Sequence, residues 1–364
     1  MKDVWKLPLA ELTEQARAAA HLVHGNTVSY VVNRNANFTR ICQVGCSFCG
    51  FGRRPGTPGA TADTIDQVVA RVAKTPWVTE ICLQGGIDGF LPVSYYFELI
   101  RILRESFPWM HLHAFSPMEI DSLCEKAGQE PEEMVVRLRA AGVGSIPGTA
   151  AEVLVDRVRR KISRNKLPTE RWIRIVKAAH RAGLRSSATL MFGHVETWEE
   201  IRTHFEVLRR VQGETGGFTE FVPLAFVPYE NRLGRMLASR HGGMVRLEER
   251  IRKRARRLYP LARLVLGDLI PHLQTSWVKL GVEGARESLN WGCNDFGGTL
   301  YEESITRSSG GRHGERLEPA TIEDAIRRSG RIPRRRTTLY GDVKNPFSLG
   351  KKSCQPSPEG HVAL

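Results

Sequence analysis

No run of about 18 apolar residues occurs anywhere in the 364-residue chain, so a membrane-spanning helix is not expected. The N-terminus also lacks a basic segment followed by an apolar one, the pattern of a secretory leader, which leaves the cytoplasm as the expected compartment. Acidic residues are in the minority, 39 against 53 lysines and arginines, for a formal net charge of +14. That excess admits nucleic acid as a partner, because basic domains gain affinity for phosphate backbones by releasing counterions. The distribution argues against it. Arginines stand beside glutamates on helices, as in Glu248-Glu249-Arg250, and the densest run, Arg334-Arg335-Arg336, has no interleaved aromatics. The helical arginines are therefore read as a solvated face, and the basic tail as serving an anionic small molecule or a structural role. No internal repeat and no linker divides the chain, whose length suits one barrel-type domain or two ordinary ones. Cysteine is scarce as well: seven residues, an odd number, fit a reducing compartment better than a disulfide framework.

Three of those cysteines stand together. Cys42-Gln-Val-Gly-Cys46-Ser-Phe-Cys49 sets them at C-x3-C-x2-C spacing around a glycine. Thiolates this close on one loop can converge on a soft metal centre, and they are what iron-sulfur clusters and zinc select. Three ligands would leave one iron of a 4Fe-4S cluster open to a chelating small molecule. A zinc site would want a fourth ligand from Cys82, Cys124, Cys293, Cys354 or a histidine. Positions 42, 46 and 49 also fall on one helical face, so three buried thiols in a packed helix are the third reading.

Around this loop the chain alternates strand with helix. Residues 5 to 24 form an amphipathic helix, and residues 26 to 37 an extended strand that delivers the cysteines. Helices are expected near 62–73, 95–107, 131–141, 168–182 and 198–211, and strands near 78–83, 111–115, 144–146, 186–192 and 219–226. Six or so such units imply a parallel β/α barrel, complete or partial, with its chemistry where strands end and loops begin. After residue 227 the pattern loosens: a basic helix over 247–259, an extended stretch over 274–280, and short helices over 283–290 and 320–329. The resulting divisions are an N-terminal helix (1–25), a barrel core (26–230), a capping region (231–340) and a poorly ordered Pro/Gly-rich tail (341–364).

Polar residues gather at the expected strand ends. Gln84-Gly85-Gly86 closes the second strand, where glycines let backbone approach a ligand. Strand alternation puts His113 on an inward face, followed by Ser116-Pro-Met-Glu119. His194 and Glu196 form another polar pair, and Thr149 and Glu152 are expected to open a short helix. Proton handling or substrate holding falls to His113, Glu119, His194 and Glu196. The late run Asn294 to Ser304 is expected to fold over the barrel mouth.

With these fragments in view the chain resembles the radical SAM superfamily, and within it the 4-hydroxyphenyl-transferring subunit of deazaflavin (FO) synthase, related to aminofutalosine synthase and dehypoxanthine futalosine cyclase. Besides the cysteine loop with Phe48, the resemblance is carried by Ile81 to Gly86, His113 to Glu119, Pro147 to Leu154, Lys166-Leu-Pro-Thr169, Met191 to Thr197, Phe218 to Leu224, Ser276 to Leu280 and Asn294 to Ser304. It implies an α/β radical SAM barrel with a C-terminal extension, in which Cys42, Cys46 and Cys49 hold a 4Fe-4S cluster and Phe48, Gly85, Gly86, Ser116, Thr149 and Glu152 lie near S-adenosyl-L-methionine (SAM). It further implies transfer of the 4-hydroxybenzyl unit of tyrosine to a ribityl-diaminouracil, an electron donor such as flavodoxin or ferredoxin, and a second radical SAM enzyme that closes the deazaflavin ring. Departures from the group's pattern at Ile87-Asp88-Gly89, Gly59 to Asp63, Phe226 to Arg232, Trp291, Phe296 and Tyr301 point to the substrate cavity. They keep two other readings in play: a diverged or futalosine-pathway enzyme, and a zinc-binding barrel without catalysis.

Overall fold

The computed structural model describes residues 3–343. The chain enters by a 3-10 turn, Val4–Lys6, and helix α1, Leu9–His24. Strands β1 (Thr27–Val31) and β2 (Asn33–Asn37) follow, then α2 (Ile65–Val72), β3 (Glu80–Gln84), α3 (Val93–Ser106), β4 (His111–Ala114) and α4 (Pro117–Ala127). Next come α5 (Pro131–Ala141), β5 (Ser145–Ile146), α6 (Asp156–Ile162), α7 (Thr169–Arg181), β6 (Arg185–Phe192), α8 (Trp198–Thr215) and β7 (Phe218–Ala225). The C-terminal third adds α9 (Arg232–Arg240), α10 (Met244–Leu266), β8 (His272–Leu273), α11 (Trp277–Ser288), β9 (Asp295–Gly298), α12 (Ile305–Ser308), α13 (Pro319–Arg327) and β10 (Ile332–Arg336). Of the tail expected over 341–364, residues 344–364 lie outside the described residues, as does Cys354.

Strands β2 to β8 pair in chain order, all parallel, as one seven-stranded sheet. Residues 294–301 bridge its two edges. Asn294 N donates to Leu273 O (3.1 Å) and Thr275 N to Asp295 O (2.9 Å) on one side, while Tyr301 N donates to Asn33 O (3.2 Å) and Asn35 N to Tyr301 O (2.9 Å) on the other. The sheet therefore curls into a barrel, because each strand buries its outward residues under the helix that follows. On β3, Ile81 and Leu83 are fully buried in the helix layer, whereas Glu80, Cys82 and Gln84 alternate inward. One hydrophobic cluster runs unbroken from Leu7 to Ile326.

Three expectations are corrected. The single strand over 26–37 is two strands in different sheets: β1 lies between β10 and β9, and only β2 belongs to the barrel. The stretch 274–280 is not extended throughout; α11 starts at Trp277, whose buried indole donates Nε1–H to Gly298 O (2.8 Å), so tertiary packing overrides the β-branched composition. Thr149 and Glu152 open no helix, since α6 begins only at Asp156. The basic run Arg334-Arg335-Arg336 has a structural place, as part of strand β10 with Arg336 buried. Helix α4 was missed although its signal is local: Ser116 accepts from Glu119 N, Glu119 returns to Ser116 N, and Pro117 takes the first position.

The barrel's inner floor is charged. Asn33 Nδ2 donates to Glu80 Oε1 (2.8 Å), and Arg336 Nη2 pairs with Asp295 Oδ1 (3.0 Å). Burial pushes the Glu220 carboxyl up to about 7, against the opposing pull of Arg336. Folded protein thus keeps a proton that the unfolded chain has lost above its ordinary value of 4.5, so this group's stabilisation is complete below about 4.5 and disappears as pH rises through 7. Glu220→Gln is expected to remove up to roughly 3 kcal/mol of that slope and to be more stable than the parent at pH 8. Urea midpoints at pH 5 and pH 8 measure it; parallel pH profiles would sink the assignment.

Candidate active site

The cysteine loop leaves β2 and is pinned on every side by backbone. Cys42 N donates to Arg53 O (2.8 Å), Gln43 N to Ile87 O (3.0 Å) and Ser47 N to Ile162 O (2.8 Å). No helix forms between residues 38 and 64, so the reading of three thiols on a helical face is excluded. Instead Cys42, Cys46 and Cys49, all half-buried, face one cavity of about 240 Å³. Burial pushes the Cys46 thiol up to about 12, so a thiolate there calls for a cation, and Lys166 acts in that direction.

That cavity lies at the C-terminal ends of the strands. Its wall includes Phe48, Gln84, Gly85, Gly86, Ser116, Glu119, Thr149 and Glu152, eight of the residues that the sequence pointed to or flanked. The glycines' room is used by the protein itself: a Cβ on Gly85 would stand 2.8 Å from the Phe38 ring, and one on Gly86 2.2 Å from Ile41 O. Glu119 joins two of these elements, accepting from Ser116 N and from Gly85 N, each at 2.8 Å. Burial raises its carboxyl to about 7 despite those bonds. Thr149 Oγ1 accepts from Gln84 Nε2 (2.8 Å). Glu152, at φ 45, pairs with Lys166; burial would raise its carboxyl, but the Lys166 ammonium outweighs this and holds it below its ordinary value. Lys166 Nζ also sits 5.4 Å from the Phe48 ring centre.

Two lysines of this wall were missed as site residues. Lys166 and Lys279 sit inside fragments that carried the resemblance, yet a lysine in a sequence reads as a surface residue until the fold buries it. Lys279, on the first turn of α11, donates to Thr306 Oγ1 (2.9 Å), whose hydroxyl donates to Glu303 (3.0 Å). Burial lowers its ammonium, partly offset by Glu303. It also lines a second cavity of about 250 Å³, which shares Ala225, Phe226 and Val227 with the first and includes Trp291.

Three expected substrate groups are not brought to the cavity. His113 is in register with Cys82, two residues before Gln84 on the neighbouring strand, and shares Ser145 Oγ with His111, at 2.7 Å each. His194 is buried with Nε2 on Met191 O (2.9 Å) and Nδ1 accepting from Val195 N (2.7 Å). Glu196 accepts from Gly193 N (2.8 Å) and His194 N (2.9 Å) and pairs with Arg254 (2.9 Å), so it shapes the β6–α8 turn. Of the departures, Asp88 is equally structural, accepting from Thr39 Oγ1 (2.9 Å) and Phe90 N (2.8 Å). Phe296 is core and Tyr301 bonds Glu318 (2.7 Å), whereas Ile87 lines the first cavity, Pro228, Tyr229 and Trp291 line the second, and Phe226 and Val227 line both.

Zinc fits this wall poorly. It holds no histidine and no fourth cysteine, and among the described residues no group of three His, Cys, Asp or Glu side chains is gathered closely enough for one ion. Three thiols around a wider space suit a multinuclear cluster with an open iron. Residues 36–208 match the Radical SAM superfamily, and 215–349 match the CofH/MqnC C-terminal region. The chain belongs to the radical SAM superfamily.

Members of this superfamily use a 4Fe-4S cluster and SAM, and so does this chain. Within the superfamily it is similar to the 5-amino-6-(D-ribitylamino)uracil--L-tyrosine 4-hydroxyphenyl transferase of Methanococcoides burtonii, 40% identical over 94% of this chain and 93% of that protein. That places it in the same family. It is also 46% identical to the FO synthase of Mycobacterium leprae over 91% of its own length, spanning 38% of that longer relative. The solved structure of methylornithine synthase superposes with a TM-score of 0.66 at 15% identity, covering 89% of each chain, and so speaks for the fold alone. No helix among the described residues is long and apolar enough to cross a membrane.

Proposed function

We propose that this radical SAM protein transfers the 4-hydroxybenzyl group of L-tyrosine to 5-amino-6-(D-ribitylamino)uracil in deazaflavin (FO) biosynthesis, in the cytoplasm. The observation that carries the reading is the near-complete match to a transferase named for that reaction, joined to a cavity whose three thiols, two half-buried lysines and neutral-range carboxyl serve it. Cys42, Cys46 and Cys49 would hold the 4Fe-4S cluster. With SAM bound, that cluster supplies the deoxyadenosyl radical chemistry of the superfamily.

The chain's own residues do the rest. Phe48, Gly85, Gly86, Ser116, Thr149 and Glu152 wall the space beside the thiols where SAM would lie. The Lys166–Glu152 pair offers a zwitterionic partner for an amino acid's charged ends. Glu119, with its carboxyl near 7, can hold or release a proton at cellular pH. Lys279 stands where the two cavities meet, with one hydroxyl partner, and is assigned to the carboxylate of tyrosine. Buried walls such as Phe226 and Ala225 exclude water from a reactive intermediate. An electron donor of the flavodoxin or ferredoxin class and a second, ring-closing radical SAM enzyme complete the reading.

The test is a mass-spectrometric product assay on anaerobically reconstituted protein with SAM, dithionite, tyrosine and the ribityl-diaminouracil. Deoxyadenosine together with the coupled adduct supports the transferase. Deoxyadenosine without adduct would instead favour the second reading, a diverged paralogue, for which the observation is the bulk of Trp291 in the second cavity. In the same assay Lys279→Met is expected to raise the KM for tyrosine by about 10- to 100-fold, the loss of one charge-assisted contact, with iron content unchanged. An unaltered KM would remove Lys279 from substrate binding.

A further inference from the structure

The reading above needs an electron from outside, and the structure has a surface suited to receive its carrier. The cysteine loop is clamped between two helices: Ser47 N and Oγ both reach Ile162 O at the end of α6 (2.8 Å each), and Ser47 O accepts from Leu233 N in the first turn of α9 (2.9 Å). Asn165 Nδ2 adds a bond to Val44 O (3.3 Å). The loop's outer side is thinly covered, with Gln43 and Gly45 exposed and Cys46 half-buried between them and the cavity.

Every element touching that side carries exposed cations. Arg160 and Lys161 sit at the end of α6, Arg164 two residues past it, and Arg232 and Arg235 on the first turns of α9. Arg54 lies over the loop itself, its Nη2 3.8 Å from where a Gly45 Cβ would be. None of the six forms a salt bridge or a side-chain hydrogen bond with a described residue. Carboxylates are few here: Asp156, which bonds Thr169 N (2.9 Å) and Oγ1 (2.7 Å) and also faces Arg159 and Arg160, and the exposed Glu230. Some exposed arginines elsewhere are matched, as Arg101 is by Glu98 and Glu105 and Arg174 by Glu130 and Glu132, while others, such as Arg240 on α9 and Arg250 and Arg256 on α10, have no such partner among the described residues. What sets this patch apart is its place: its unpaired cations lie on the elements that hydrogen-bond the cysteine loop.

We infer that the end of α6, the start of α9 and Arg54 form the docking surface for an acidic one-electron donor protein, set over the loop that holds the three thiols. The inference rests on the radical SAM reading, which supplies the need for the electron. Unpaired like charges raise the rate at which an oppositely charged protein is captured and make that rate fall with salt. A small reductant such as dithionite requires no such surface.

The experiment compares reconstituted wild-type holoenzyme with a Lys161→Glu, Arg164→Glu, Arg232→Glu variant, driven either by an acidic flavodoxin with its reductase or by dithionite. Deoxyadenosine formation is the readout. Flavodoxin-driven formation is expected to fall at least about tenfold in the variant and to lose most of its salt dependence, with the dithionite-driven rate retained. Equal flavodoxin-driven rates in both proteins would overturn the inference. Should charge reversal lower the dithionite rate too, the Gln triple variant decides by the same comparison, judged at matched iron content. Wild-type protein that makes no deoxyadenosine even with dithionite would strike at the radical SAM reading and not at the docking surface.

Discussion

Alanine at any one of Cys42, Cys46 or Cys49 is expected to reduce SAM cleavage to background and to strip the protein of reconstituted iron and sulfide. Each thiol faces the same cavity, and no fourth cysteine or histidine is there to substitute for a lost one. Burial already disfavours a bare thiolate at Cys46, so the cluster's charge is what keeps that ligand deprotonated. Cys124→Ala and Cys293→Ala are the controls, since both thiols are buried away from the cavity, on α4 and beside Arg263. Iron analysis and anaerobic absorption spectra measure the outcome. One zinc per chain, surviving the loss of a single cysteine, would contradict the cluster.

How much of this was legible beforehand depended on where the deciding information lay. The cysteine triad, the strand ending in Gly85-Gly86 and the βα alternation are local patterns, and all were readable from the sequence. The capping box at Ser116 and Glu119 was local too, yet its second use was not: that Glu119 also holds Gly85 N depends on β3 and α4 meeting. Lys166 and Lys279 show the same limit, because only the tertiary arrangement turns a charged residue of a helix or loop into a half-buried cation on a cavity wall. His194 and Glu196 fail in the opposite sense. Polar residues at a strand's end resemble site residues, but here the turn's own amide groups consume both. Strand β10 and the bridge over 294–301 pair across some 300 residues with the start of the chain, a separation that no window of sequence spans.

The glycines after β3 give the second large effect, and their reason differs from the one the sequence offers. Glycine at a strand end is ordinarily credited with admitting a ligand or a left-handed backbone. Gly86 is not among the positive-φ residues, so space and not conformation is the requirement. An added Cβ would lie 2.2 Å from Ile41 O, 2.8 Å from Ile41 C and 3.0 Å from Cys42 Cβ. Two of these atoms are backbone of the cysteine loop, which is itself tied by Gly86 N to Thr39 O (2.9 Å) and Gln43 N to Ile87 O (3.0 Å). Gly86→Ala must therefore shift the first cluster ligand relative to the other two. The expected result is a stability loss of about 1–3 kcal/mol, typical of overpacking against atoms that cannot rotate away, together with a marked fall in iron loading. Gly213→Ala on α8 is the contrast: nothing lies within 4 Å of its added Cβ, and a gain of about 0.5–1 kcal/mol is expected from a helix-interior alanine. Urea midpoints and iron content of the two variants decide the matter. A Gly86→Ala protein that loads iron and unfolds like its parent would mean that the loop is free to move, and that the cysteines are not held in place by β3.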